Sequence, residues 1–514
     1  MLNKETVNLE NSAVYMKNIF KYFDSFCALK NININIKKGS IHALLGENGA
    51  GKSTLMNILY GFYHADNGEI FINQKKVNIK NPNIAIKLGI GMVHQHFMLV
   101  QPFSVLQNII LGREPVNKLG ILNINQTRKK IEELSKKYGL AVDLDAKIED
   151  ISVGMQQKVE ILKALYRGSD ILIFDEPTAV LASQEIDELI LTMKNLTDHG
   201  KTIIIITHKL KEIKKAANYC TVIRKGEYID TVCVKDTTED ELAQMMVGRN
   251  ISLHINKAPA KPKEEILSIE NIVVKDSRGF NKIKNLSLSV KRGEILGIAG
   301  IEGNGQKELV DAITNLTKTE KGKIKINNKE IQNTSPKNVI NNKISTIPED
   351  RHKRGLILDF SVAENIILIN YNNSLFSNKG FLNIKNINKF SDEIIREFDV
   401  RPTHCKKLPI RALSGGNQQK VVIGREVSND PELLIAVQPT RGLDVGAIEY
   451  VHQTLVKQRD KGRAILLVSL ELDEIIDLSD RIAVIYDGQI VDIIDSKDAN
   501  ENKISLLMAG GNKK

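Results

Sequence analysis

An α/β fold present twice in tandem is what this sequence predicts, and three observations predict it. First, the chain repeats itself over the length of a whole domain. Gly46 and Gly300 head matching glycine-rich stretches 254 positions apart, and Ser152/Ser414 and Pro177/Pro439 match at an offset of 262. A period this long marks a duplicated domain, not a solenoid unit. Second, each copy passes from alternating apolar residues, the pattern of a half-buried strand, through a glycine-rich turn. Third, the first copy later carries "DILIFDEPT", an apolar strand that ends in two acids.

The first copy opens with Ile32, Ile34 and Ile36 in alternation, a Lys-Lys-Gly turn and the apolar run "IHALL". Then comes "GENGAGKST", Gly46 to Thr54, which fits G-x-x-x-x-G-K-[ST], and "TLMNILYG" with helical spacing. Such a loop wraps phosphates with backbone N–H groups at the anion-favouring start of a helix. Its predicted phosphate-binding residues are Gly46, Glu47, Asn48, Gly49, Ala50, Gly51, Lys52, Ser53 and Thr54. Lys52 reaches the β- and γ-phosphates and Ser53 ligates Mg²⁺. In "DILIFDEPT", Asp175 is placed to hold Mg²⁺ and Glu176 to orient and deprotonate the attacking water.

A proline- and lysine-rich segment, "HINKAPAKPKEE", lacks apolar periodicity and reads as a linker. The predicted organisation is a first domain at 1–250, a linker at 251–264 and a second domain at 265–514. The second copy repeats the plan with Leu286, Leu288 and Val290, a Lys-Arg-Gly turn and the glycines of "GIEGNGQKE", Gly300 to Glu308. The change of offset from 254 to 262 implies an insertion in the second half.

Composition narrows the class less. Lysine plus arginine number 72 against 62 acids, a net +10 that fits nucleic acid, an anionic membrane or an anionic ligand and selects none. Cys27, Cys220, Cys233 and Cys405 are scattered without a C-x-x-C, which indicates neither zinc nor a disulfide frame. The N-terminus shows no signal-peptide pattern, and the apolar runs are too short to cross a bilayer, so any membrane contact is expected to be peripheral.

These motifs resemble those of the ABC-type ATPases, over nearly the whole chain and twice over. "SVGMQQ" and "LSGGNQQ" are similar to that family's signature. The resemblance implies two tandem P-loop NTPase domains, each with a mixed sheet core and a helical subdomain. It also assigns Gln95, in "VHQ", as the residue that senses Mg²⁺ and touches a membrane partner. His208, in "IIIITH", becomes the switch histidine on the γ-phosphate. Phe23, with Tyr22 as its competitor, takes the position stacked on adenine. Family members pair two domains head to tail, so Ser414, Gly415, Gly416 and Gln418 are expected to complete the ATP site built on Lys52. The family's usual aspartate after the catalytic acid is missing from "AVLA" (Ala179 to Ala182) and present as Asp444.

The second copy keeps the glycines and loses the chemistry. Gln306 replaces Lys52, Lys307 replaces Ser53, Glu349 replaces Gln95, Val437 and Gln438 replace Asp175 and Glu176, and Leu470 replaces His208. A metal-free second site is expected: Lys307 neutralises phosphates there, pairs with Glu349, or points into solvent. One intact and one degenerate half resembles the ATP-binding subunits of bacterial simple-sugar and nucleoside importers, most of all the nucleoside branch. That resemblance implies ATP and Mg²⁺, two membrane-spanning permease subunits on other chains, and an extracytoplasmic substrate-binding lipoprotein. It further implies a peripheral place on the cytoplasmic face of the membrane, pairing of the domains within one chain or between two, and no nucleic acid. The competing reading is a soluble tandem ABC ATPase acting on ribosomes or nucleic acid; such factors generally keep two intact sites and a charged helical linker, which this chain lacks. The basic run "RHKRG" (Arg351 to Gly355) is open between a contact for a membrane partner and a solvated loop.

Overall fold

The computed structural model describes residues 11–94, 97–116, 123–178, 181, 183–249, 255, 257–276 and 278–511. The chain divides into two compact units, Met1–Ile251 and Ser252–Lys514.

In the first unit the antiparallel part of the sheet sets Ser12–Phe23 between Phe26–Lys37 and Asn67–Ile72. Ile32, Ile34 and Ile36 lie opposite Ile19, Met16 and Val14, and all six side chains are buried. The parallel part runs in the order Tyr219–Arg224, Ile41–Leu45, Thr202–Ile206, Ile171–Asp175 and Ile90–Val93. Parallel strands covered on both faces read as unbroken apolar runs, which is why "IHALL", "TIIII" and "ILIFD" show no alternation. The loop around Lys52, the acids at 175–176 and His208 therefore leave three neighbouring strands at their carboxyl ends. That is where ligands bind in parallel sheets. Helices Val105–Ile110, Ile124–Tyr138 and Val153–Tyr166 pack on one another as the expected helical subdomain.

The second unit repeats the plan. Glu265–Lys275 sits between Asn281–Lys291 and Thr319–Ile326. The other sheet runs Ile344–Ile347, Leu433–Val437, Ala464–Val468, Ile295–Ala299, Arg481–Tyr486, Gln489–Asp495, parallel until its last pair. A matching backbone bond links the antiparallel and parallel parts in both units: Lys30 N–H to Gly226 O at 2.7 Å, and Lys284 N–H to Gly488 O at 2.9 Å. The expected insertion is spread over three places, as the paired helix caps show. Three residues enter before Ser361 (matching Ser104), three before Asn383 (matching Asn123) and two before Ser414 (matching Ser152).

The expected linker at 251–264 falls partly outside the described residues, and its described part is fastened to the second unit. Lys257 Nζ donates to Ser479 O at 2.6 Å, and Arg459 Nη2 donates to Ala258 O at 2.9 Å. Proline and lysine there suppress periodicity because the segment docks by its ends and backbone. Among the described residues, no helix is long and apolar enough to cross a membrane.

Candidate functional site

In the first loop, Gly49 and Gly51 have φ of 81° and 102°, which side chains rarely adopt. A Cβ on Gly51 would also stand 2.6 Å from Leu29 Cδ2 and 2.9 Å from Ala28 O. Gly51 begins the helix Lys52–Tyr60 without a side-chain cap, so its first N–H groups suit an anion. Ser53 is exposed in that first turn and Ala50 is buried beneath the loop. Lys52 is buried and folds back, donating to Gly46 O at 2.7 Å and Glu47 O at 3.1 Å. Burial holds its pKa below the ordinary lysine value, against the opposing pull of Glu176, Asp175 and Glu47.

Asp175 ends its strand with its pKa raised, first by burial and then by the neighbouring Glu176. Glu176 takes a left-handed backbone, φ 47°, with its N–H on Ile206 O at 2.9 Å. That turn aims its carboxylate at His208, whose Nδ1 lies 3.0 Å from Glu176 Oε1. Two residues from different strand ends are thus brought into contact beside the lysine. Gln95 and the stretch at 179–180 and 182 lie outside the described residues. Phe23 is exposed at the end of its strand, edge-on to Tyr63 at 5.3 Å, with Lys21 Nζ 5.4 Å from its ring. Tyr22 is as exposed, so both aromatics remain candidates, and Tyr63 joins them unpredicted.

The donor set suits Mg²⁺ with ATP. Among the described residues no three His, Cys, Asp or Glu gather to hold a metal. One carboxylate and one hydroxyl befit an ion that keeps waters and takes its other ligands from phosphates.

Both signature serines cap helices. Ser152 accepts from Met155 N–H at 3.3 Å; Ser414 accepts from Asn417 Nδ2 at 2.9 Å, with Gly415 and Gly416 in the turn that follows. Gln418 turns inward. It is buried, its Nε2 donates to Ile410 O and Leu413 O at 3.2 and 3.1 Å, and its Oε1 accepts from His352 Nε2 at 2.8 Å. Its amide holds the turn that carries the signature. Asp444 caps the helix Val445–Asp460, accepting from Ala447 N–H at 2.8 Å.

In the second unit the loop keeps its shape. Gln306 Nε2 donates to Ile301 O at 2.9 Å, the bond that Lys52 makes to Glu47 O. Gln438 keeps the left-handed turn, φ 47°, with its N–H on Val468 O at 2.7 Å. An open depression remains, bordered by Glu302, Lys307, Glu349 and Gln438. Of the three alternatives for Lys307, the pair with Glu349 is not formed: Glu349 is engaged by Arg441, Nη1 to Oε1 2.5 Å, and Lys307 is exposed. The basic run is largely tied down, which neither earlier alternative anticipated. Arg351 Nη1 donates to Arg441 O at 3.2 Å, His352 reaches Gln418, and Arg354 Nη1 meets Asp311 at 2.5 Å; Lys353 is exposed, 3.9 Å from Asp350 Oδ2. Arg441 was detectable by aligning the halves, since it stands where the first copy has Ala179.

The model of the family described as "ABC transporter" matches residues 29–179 and 283–441. The chain is 54% identical to the nucleoside import ATP-binding protein NupA of Lactococcus lactis subsp. cremoris, over 98% of this chain and 99% of that protein. It is 54% identical to the guanosine import ATP-binding protein NupO of Bacillus subtilis, over 98% of each. A ribose import ATP-binding protein, RbsA of Lactococcus lactis subsp. cremoris, shares 39% over 97% of this chain and 99% of its own. Among solved structures, the archaeal ribosome recycling factor in complex with a ribosomal stalk protein superposes with a TM-score of 0.62 at 18% identity, covering 96% of this chain and 92% of that one. At that identity the likeness extends to the fold alone.

Proposed function

We propose, from the premise that this chain belongs to the ABC transporter family, that it is the ATP-hydrolysing subunit of an importer and that its cargo is a nucleoside. The observation that carries the reading is the Glu176–His208 contact of 3.0 Å beside buried Lys52, set against Gln438 and Leu470 at the matching places. The cargo rests on the identity to two proteins named for nucleoside and guanosine import.

In this reading the glycine loop and the helix start bind the phosphates, and Lys52 carries the charge contact to their outer oxygens. Glu176, oriented by His208, takes the proton of the attacking water. Ser53, Gln95 and Asp175 would hold Mg²⁺, which when bound neutralises charge building on the phosphates. Phe23 or Tyr22 stacks on the adenine. Ser414, Gly415 and Gly416 complete the site around the γ-phosphate, within one chain or between two. The partners are two membrane-spanning permease subunits and an extracytoplasmic substrate-binding lipoprotein, with this chain peripheral on the cytoplasmic face.

Glu176→Gln keeps the shape and removes the base. It is expected to bind ATP and lose about 10²–10⁴ in turnover; near-normal turnover would overturn the assignment. The cargo is tested by uptake of labelled guanosine, uridine and ribose in cells with and without this subunit. Loss of ribose uptake alone would replace the nucleoside reading.

A further inference from the structure

The second unit has spent the ligand position of its own site on a clamp. Glu349 stands where Gln95 stands in the first copy, and its carboxylate engages Arg441 Nη1 at 2.5 Å. Two residues on, Arg351 Nη1 donates to the backbone O of the same Arg441 at 3.2 Å. The guanidinium also lies against the start of the signature helix: a Cβ on Gly415 would stand 2.7 Å from Arg351 Nη2. One residue further, His352 holds Gln418 at 2.8 Å, and Asp350 ties the turn by accepting from His352 and Lys353 N–H at 2.9 and 3.1 Å. Three residues just past one strand end, Glu349, Arg351 and His352, thus reach two separate segments, the turn at 439–444 that leads to Asp444 and the signature at 414–418, while Asp350 ties their own turn. The first copy cannot build this clamp, because Ala179 replaces Arg441.

We infer that Arg351 and the Glu349–Arg441 pair are positioning residues for ATP hydrolysis, acting through Ser414 and Asp444 of their own unit. They fix Ser414 and Asp444 in the geometry that hydrolysis needs. The inference rests on the reading above, that Ser414 serves the nucleotide held by the Lys52 loop.

The pair is exposed, with side chains 39% and 62% accessible, and pairs of that kind contribute little to folding stability. Its removal therefore separates position from stability. Small misplacements of catalytic groups cost up to about 10²-fold in rate. Arg441→Ala and Glu349→Gln are expected to lower kcat about ten- to a hundredfold. Melting temperature and binding of a fluorescent ATP analogue to the Lys52 loop should stay unchanged. The charge-swapped double variant Glu349→Arg/Arg441→Glu should recover much of the loss, and Arg351→Lys should retain more kcat than Arg351→Ala. Ser414→Arg is the control for the underlying reading. If it abolishes turnover while the Arg441 and Glu349 variants turn over normally, the clamp is overturned and the reading stands. If Ser414→Arg itself turns over normally, both fall. A loss of kcat that follows a fall in melting temperature and is not restored by the swap also overturns the clamp.

Discussion

At the scale of single residues, the candidate site is tense before ligand arrives. Asp175 is half-buried beside Glu176, and both the partial burial and the neighbouring acid push its pKa up. An acid whose folded pKa is raised weakens the fold once pH climbs above its unfolded value near 3.9, and the penalty is complete above the folded pKa. Asp175→Asn is thus expected to raise the melting temperature of the ligand-free chain at neutral pH. The gain should be about 2–4 °C per kcal/mol relieved in a unit of this size, and should shrink as pH falls toward the ordinary aspartate range. Differential scanning fluorimetry across pH checks it; a gain independent of pH would show that packing, not charge, is the cause. The same variant should lose ATP turnover, the usual exchange of stability against activity.

At the scale of elements, the two loops offer an internal comparison. Gly51 and Gly305 share a left-handed backbone, with φ 102° and 109°, and each would drive a Cβ within 2.9 Å of a carbonyl oxygen. Alanine at either is expected to destabilise its own unit by roughly 1–3 kcal/mol. Only Gly51→Ala should also weaken ATP binding, which titration of both variants with a fluorescent analogue would reveal; equal weakening would make the second loop a nucleotide site in its own right. The strands and loop glycines were legible in the sequence because burial on both faces and left-handed turns leave clear residue patterns. Asp175, Glu176 and His208 were legible because each stands at or just past the end of a strand that reads plainly, and Lys52 because it opens the helix behind the loop glycines. The inward turn of Gln418 was not legible, because adjacency to a ligand motif says nothing of which way a helical side chain turns. The grip on the basic run escaped because its acceptors, Arg441 O, Gln418 and Asp311, are 90, 66 and 43 residues away in the chain.

At the scale of the whole molecule, the two copies are, in the proposed reading, a working half and a supporting half. Ser414→Arg is expected to abolish turnover although it lies far along the chain from Lys52, whereas Ser152→Arg should leave substantial activity. Steady-state ATPase assays of the pair decide it, and equal losses would argue against head-to-tail completion. The supporting half still bends Gln438 into the left-handed conformation of Glu176, at φ 47° in both. It does so because the N–H must reach Val468 O, a demand of the sheet that outlasts any catalysis. The consequence is historical as well as mechanical. The loss of chemistry here was written in side chains on an unchanged frame, so the path back is short in mutational steps. A lineage could re-arm or disarm this half many times without refolding it.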